Sequence, residues 1–346
     1  MRSGDHPDLS TSLRASVVIC AYTERRWGDL AASVEHLLRG PDDPPHEVIV
    51  VVDNNPDLLR RVQHELEGVV VAANEGSRGL SGARNTGVAR ASGDVIIFLD
   101  DDAVPAPGWL AHLLAPYRDP AVMGVGGGAD PVWPGERPRW FPSEFAWVVG
   151  CSWTGLPDHV AQVRNLIGCN MSFRREALEI AGEFREDIGR IGTRPLGCEE
   201  TELCIRLRQR QPSSVLLYDP LARVDHRVSP DRIRWRYFSS RCFAEGLSKA
   251  MVTDAVGSRD GLAAERAHTL RVLPRGVWRG LTDVGRGDPA GLGRAGAIVA
   301  GLAYTSAGYV RGRVATRRPR AARAHPTGSA PDERATETRA GANVRR

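Results

Sequence analysis

The sequence has 346 residues, 42% hydrophobic and 25% charged, with 37 Gly, 23 Pro and 6 Cys. At about 150 residues per domain this is material for about two units with a real core, which excludes a disordered chain and a disulfide-stapled mini-fold. The net charge of +4 is unevenly placed: residues 311–346 hold ten arginines and three acids, so residues 1–310, with 36 basic and 39 acidic side chains, are slightly acidic, and this argues against a wholly basic nucleic-acid-binding surface.

Residues 1–13 read as a flexible N-terminus. They contain Asp5, Pro7 and Asp8 and no apolar stretch of signal-peptide length. The expectation is a cytoplasmic protein whose six cysteines, with no CxxC pair among them, are reduced and mostly buried. Four short runs rich in Val and Ile follow: Ser16–Cys20, Val48–Val52, Val69–Ala73 and Val95–Leu99. Near-continuous apolar runs of this length predict parallel strands covered on both faces. The segments between them, Trp27–Leu38, Asp57–Leu66 and Leu80–Arg90, have helix length. The alternation predicts an α/β fold with a mostly parallel, doubly wound sheet, whose strand ends share one ligand-binding edge.

Beyond Pro105 the pattern loosens. Pro107–Tyr117 predicts a helix, Val122–Ala129 a glycine-rich strand, Asn165–Phe173 a strand and Arg175–Ala181 a helix. A helix over Glu199–Gln211 and a strand over Ser214–Tyr218 follow, then mainly helix from Pro230. Ala295–Val310 is uncharged but diluted by small residues; it fits a packed helix or one resting on a membrane surface, and no run is long enough to span. From Arg313 the Arg/Ala/Pro/Thr-rich composition predicts disorder.

Four features carry chemistry. Asp100, Asp101 and Asp102 end the fourth strand; three crowded carboxylates fit either a solvated acidic turn or a site for a hard divalent cation. Asp53, after the second strand, either caps the next helix or binds a base or ribose. The segment Asn74–Asn85, with Gly76, Gly79 and Gly82, is a plain loop or a phosphate cradle at a helix N-terminus, with Arg78 or Arg84 supplying charge. Gly124–Gly128 lacks the spacing of a dinucleotide fingerprint.

Taken together, Val17–Glu24, Glu47–Asp53, Gly82–Gly87 and Phe98–Asp102 resemble the family 2 glycosyltransferases of GT-A fold. Gly168–Arg174 is similar to that family's acceptor-side segment, and Cys198–Arg206 to its acidic "ED" motif. The resemblance spans about residues 16–226. It implies a GT-A-type catalytic domain at 14–229, divided into a nucleotide-binding half (14–104) and an acceptor half (105–229), then a helical extension at 230–312 and an Arg-rich tail at 313–346. It further implies that Ala21, Tyr22 and Glu24 flank the nucleobase, that Asp53 holds base or ribose, and that Arg84 sits near the phosphates. Asp100 and Asp101 would contact the nucleotide and Asp102 a Mg²⁺ or Mn²⁺ ion. Glu200 would be the base, with Glu199 able to share the role, and His226 either a metal- or pyrophosphate-binding histidine or a structural one.

Three positions depart from the family pattern: Glu200 stands where Asp is usual, Thr23 where Asn is common, and Asp231–Trp235 lacks the Gln of processive synthases. The implied activity is inverting, metal-dependent and non-processive transfer from a nucleotide-diphosphate sugar, UDP-linked, to an acceptor hydroxyl. Its setting would be cell-envelope, polysaccharide or glycoconjugate biosynthesis, with peripheral contact between residues 295–346 and an anionic inner membrane face. A nucleotidyltransferase on a similar sheet and a non-catalytic carbohydrate-binding protein with a degenerate GT-A fold are the alternatives. Trp133, Trp140, Trp147 and Trp153 fit sugar stacking or plain packing, and Phe184–Leu196 a loop that orders over donor.

Overall fold

The structure, a computed structural model, describes residues 13–190, 195–262, 265–266 and 268–317. The expectations for residues 1–12 and for the tail from residue 318 lie outside the described residues. Among these, nine strands build one sheet: β1 (Ala15–Ala21), β2 (Glu47–Val52), β3 (Val70–Ala73), β4 (Val95–Asp100), β5 (Ala103–Pro105), β6 (Val122–Val132), β7 (Ala161–Gln162), β8 (Asn170–Arg174) and β9 (Val215–Arg227). The order is β3-β2-β1-β4-β8-β6-β9-β5, with β7 also on β9. The first four strands pair in parallel. From β4 onward the pairing is antiparallel except for β6 with β9, so the sheet is mixed overall.

Helices cover both faces. Leu30, Val34 and Leu37 of α1 (Trp27–Arg39) and Leu58 and Val62 of α2 (Pro56–Glu65) pack with Val17, Ile19 and Ala21 on one side. On the other, Ala83 of α3 (Leu80–Arg90), Leu178 of α5 (Arg175–Ala181) and Leu203 and Leu207 of α6 (Glu199–Arg210) pack with Val18, Ile96 and Phe98. Successive strand residues therefore alternate between two buried layers, which is why the strands read as continuous apolar runs. All six cysteines are free, and five are buried.

The second half differs from expectation in several places, and the strand expected over Asn165–Phe173 begins only at Asn170. The stretch 107–117 yields only α4 (Trp109–Leu114) and a 3₁₀ turn at Ala115–Arg118. The strand expected to stop at Tyr218 runs to Arg227, through Pro220. Beyond Pro220 the sequence alternates, with Ala222, Val224 and His226 buried and their neighbours exposed, as a half-buried strand should. The C-terminal helices are α7 (Trp235–Val256), α8 (Leu273–Gly285) and α9 (Ala290–Arg317); α9 continues past residue 312 as helix. The tryptophans at 133, 140, 147 and 153 pack around Phe141, Phe145 and Phe238, where they join their segment to α7.

Candidate active site

Parallel pairing brings the ends of β1, β2, β3 and β4 to one edge. Ala21, Asp53, Asn74 and Asp100 lie at or just after those ends. Ala21 accepts from the Asp53 backbone N–H at 2.8 Å. Tyr22 is exposed beside the Arg26 guanidinium, 5.7 Å from its ring centre. Glu24 opens a 3₁₀ turn for which Thr23 is the cap.

Asp53 is not the helix cap. Asn55 fills that role, accepting from Leu58 N–H at 3.0 Å, with Pro56 in the first turn. Asp53 instead receives Asn54 and Asn74 side-chain amides on Oδ1 (2.9 and 2.6 Å) and Gly79 N–H on Oδ2 at 3.1 Å. It therefore shapes the loop before α3. Gly79 has φ of 132°, a conformation suited to glycine. The first N–H of α3, at Leu80, donates to Arg190 O at 3.0 Å, and Ser81 Oγ donates to Ile188 O at 2.8 Å. Residues 184–190 are thus fastened over this helix start, and 191–194 lie outside the described residues.

The aspartate triplet turns at the end of β4. Asp101 and Asp102 are buried and Asp100 is partly open. Arg26 contacts Asp101 Oδ1 at 2.5 Å and Asp102 Oδ2 at 3.1 Å, and Arg232 lies 3.5 Å from Asp102 Oδ2. β9 pairs with β5 so that His226 faces Ala103, which puts its Nε2 3.2 Å from Asp102 Oδ1. Burial pushes the Asp101 carboxyl up to about 7. It opposes ionisation of Asp102 too, yet His226, Arg26 and Arg232 hold that group down at about 2. Burial also lowers His226 itself.

Asp100, Asp102 and His226 each offer one ligand atom, all within 4.8 Å of one another, the one such group among the described residues. Asp101 Oδ2 and Asp102 Oδ1 are buried with no hydrogen-bond partner. Unsatisfied buried carboxylate oxygens beside an imidazole nitrogen suit a hard divalent cation. The donor set fits one.

Arg84 connects this cluster to α6. It is almost fully buried, donates to Glu199 Oε1 at 2.8 Å and to Gly168 O at 2.9 Å, and lies 3.8 Å from Asp100. These acids outweigh burial and keep it charged. It thus bridges two acids across the site instead of pointing into open space. Glu200 stands beside it, half-buried, accepting from Thr201 Oγ1 at 3.2 Å. Burial first, then neighbouring Glu199, pushes Glu200 up to about 7. Cys198, just before α6, adopts φ of 70°, an uncommon conformation for a side-chain-bearing residue at a helix start.

Sequence reasoning missed Arg26 and Arg232, the cations that pair with Asp101 and Asp102. Arg26 follows the first-strand motif by two residues. Arg232 lies inside Asp231–Trp235, the segment that lacks the Gln of processive synthases. The neighbouring Arg234 is exposed and, among the described residues, pairs only with Asp231.

Residues 16–180 match the family model for glycosyl transferase family 2. A glucosyl-dolichyl phosphate glucuronosyltransferase from Haloferax volcanii is 34% identical over 244 residues, covering 69% of this chain and 77% of that one. A pre-mycofactocin glycosyltransferase from Mycobacterium tuberculosis is 30% identical over 57% of this chain, which spans about half (46%) of that relative's length. Among solved structures, the mannosyltransferase PcManGT from Pyrobaculum calidifontis, in complex with GDP-Man and Mn²⁺, superposes with a TM-score of 0.52 at 19% identity, covering 89% of both chains. That likeness is one of fold.

Proposed function

The chain belongs to glycosyl transferase family 2 and is a glycosyltransferase, and we propose that it moves a sugar from a UDP-linked donor to an acceptor hydroxyl with inversion at the anomeric carbon. The observation that carries this reading is the Arg84 bridge, which sets an acidic cluster fit for a cation opposite a carboxylate with a value near neutrality. A group poised near the working pH is suited to proton transfer.

In this reading Asp102 and His226, with Asp100, hold Mg²⁺ or Mn²⁺; when bound, the ion neutralises charge on the departing diphosphate. Ala21, Tyr22 and Glu24 flank the nucleobase. Asp53 acts on the base or ribose and holds the loop that closes on it, and Asp100 and Asp101 line the nucleotide. Arg84 keeps Glu199 and Asp100 in register and contributes positive potential near the phosphates. Glu200 Oε takes the acceptor's hydroxyl proton as the oxygen attacks the face opposite the leaving group, hence inversion. Glu199, paired with Arg84, orients the helix start and raises its neighbour.

Residues 14–104 form the nucleotide-binding half, 105–229 the acceptor half, and 230–312 a helical extension. The relative from Haloferax volcanii is named for a dolichyl phosphate-linked sugar, which supports a lipid-phosphate-linked acceptor in envelope glycoconjugate synthesis. Transfer is non-processive and cytoplasmic, with peripheral contact between residues 295–346 and an anionic membrane face.

A panel of nucleotide sugars incubated with the protein and Mn²⁺ tests the reading. UDP should be released from one UDP-sugar, and chelation should stop it. Pyrophosphate release from a nucleoside triphosphate would instead identify nucleotidyl transfer.

A further inference from the structure

The last two helices carry a surface that the proposed chemistry does not use. Along α8, Pro274, Trp278, Leu281 and Gly285 recur at spacings of four, three and four residues and so share one stripe. Trp278 is 70% exposed, Leu281 46%, and Leu270, just before the helix, 75%. The adjacent stripe is Arg275, Arg279, Thr282 and Arg286. Arg279 turns inward to Glu144 at 2.7 Å. Among the described residues Arg271, Arg275 and Arg286 have no ion-pair partner. The third face, Leu273, Gly276 and Gly280, is buried.

α9 repeats the arrangement. Leu292, Val299, Val310 and Val314 are all more than half exposed, and with Gly296 and Ala303 they follow one face. The helix is uncharged from Ala295 to Val310, with Arg311 next. Residues 268–317 contain eight arginines and two aspartates.

Large apolar side chains exposed in a row mark an interaction surface. Charge chooses the occupant. A second copy of this face would set unpaired arginines against arginines, and the Arg-rich residues beyond 317 would be repelled equally. An anionic lipid surface satisfies both stripes: Trp and Leu enter the headgroup boundary while the arginines remain among the phosphates. No helix among the described residues is long and apolar enough to cross a membrane, so the contact is a seat on one leaflet. We propose that α8, with the exposed face of α9, seats the enzyme on an anionic bilayer. The proposal rests on the peripheral membrane contact included above and moves its main element from the tail to the folded helices.

Co-sedimentation of the full chain with vesicles of phosphatidylcholine, with and without phosphatidylglycerol, tests it. Wild type should bind only the anionic vesicles. Trp278→Ser/Leu281→Ser and Arg271→Gln/Arg275→Gln/Arg286→Gln should each lose about fivefold or more of bound protein. Arg318→Gln/Arg320→Gln/Arg323→Gln should stay within about twofold of wild type. Titration of each variant with UDP and Mn²⁺ reports folding and the donor site separately, so vesicle binding can fail while the glycosyltransferase reading stands. Unchanged binding in both α8 variants overturns the proposal, as does loss in the tail variant alone. A dimer abolished by Trp278→Ser/Leu281→Ser, in a protein that ignores vesicles, also overturns it.

Discussion

Arg84 donates to Glu199 at 2.8 Å from an almost fully enclosed side chain, and this pair ties the start of α6 to α3, from which Arg84 also lies 3.8 Å from Asp100 at the end of β4. Removing one member of a buried pair leaves the other's charge uncompensated, whereas removing both leaves none. Arg84→Met should therefore cost about 3–5 kcal/mol, and Arg84→Met/Glu199→Leu should recover most of that loss. Urea unfolding of both single variants, the double variant and wild type checks the coupling; strictly additive losses would show that the pair is not coupled. Transfer activity should not recover in the double variant, because α6 loses its link to Asp100.

Glu200 connects activity to pH. Its carboxyl is raised from 4.5 to about 7 by burial and Glu199. The ionised form is the base, so kcat/KM should rise with pH and level off above about 7. The same shift opposes folding. A carboxyl with a raised folded-state value binds an extra proton between the two values, so its contribution is fully present below about 4.5 and is lost as pH rises to about 7. Glu200→Gln should thus lose transfer by about 100-fold or more while melting higher than wild type above neutral pH. Wild-type turnover in this variant would remove Glu200 as the base.

Arg26 occupies Asp101 and Asp102 and so opposes any cation brought to the same carboxylates. Arg26→Gln should tighten Mn²⁺ binding without nucleotide by about three- to tenfold. Calorimetric titration of wild type and variant with Mn²⁺ checks this; weaker Mn²⁺ binding in the variant would contradict the assignment.

The glycine run in β6 makes a packing prediction. A Cβ at Gly127 would overlap the carbonyl oxygen of Ala222, whereas one at Gly128 would meet nothing nearer than 3.4 Å. Asn170 Nδ2 donates to both Gly128 O and Ala222 O at this crossing, at 2.9 and 2.8 Å. Gly127→Ala should cost about 3 kcal/mol or more, and Gly128→Ala less than about 1 kcal/mol. Thermal melts of the two variants distinguish them.

The first half of the fold was legible because strands buried on both faces are continuous in sequence: Val48–Val52 and Val95–Leu99 have no other reading. The end of β9 was not, because Pro220 reads as a breaker and Ala222–Arg227 alternates. That segment carries His226 into the site, so in the sequence only the resemblance marks the histidine, with no strand pattern to place it. Asp53 is ambiguous as a cap in the sequence, and the structure gives that role to Asn55, two residues later. Arg26 and Arg232 were invisible because a long side chain reaches its partner from a loop or turn with no periodicity to reveal its direction.

The central claim, a cation-assisted sugar-nucleotide site built on Asp102, is tested most directly by titrating UDP into wild type and Asp102→Asn, each with Mn²⁺ and with chelator. Wild type should bind UDP only with Mn²⁺ present, and Asp102→Asn should bind it about tenfold or more weakly. Equal binding by both proteins, or wild-type binding indifferent to chelator, would contradict the account.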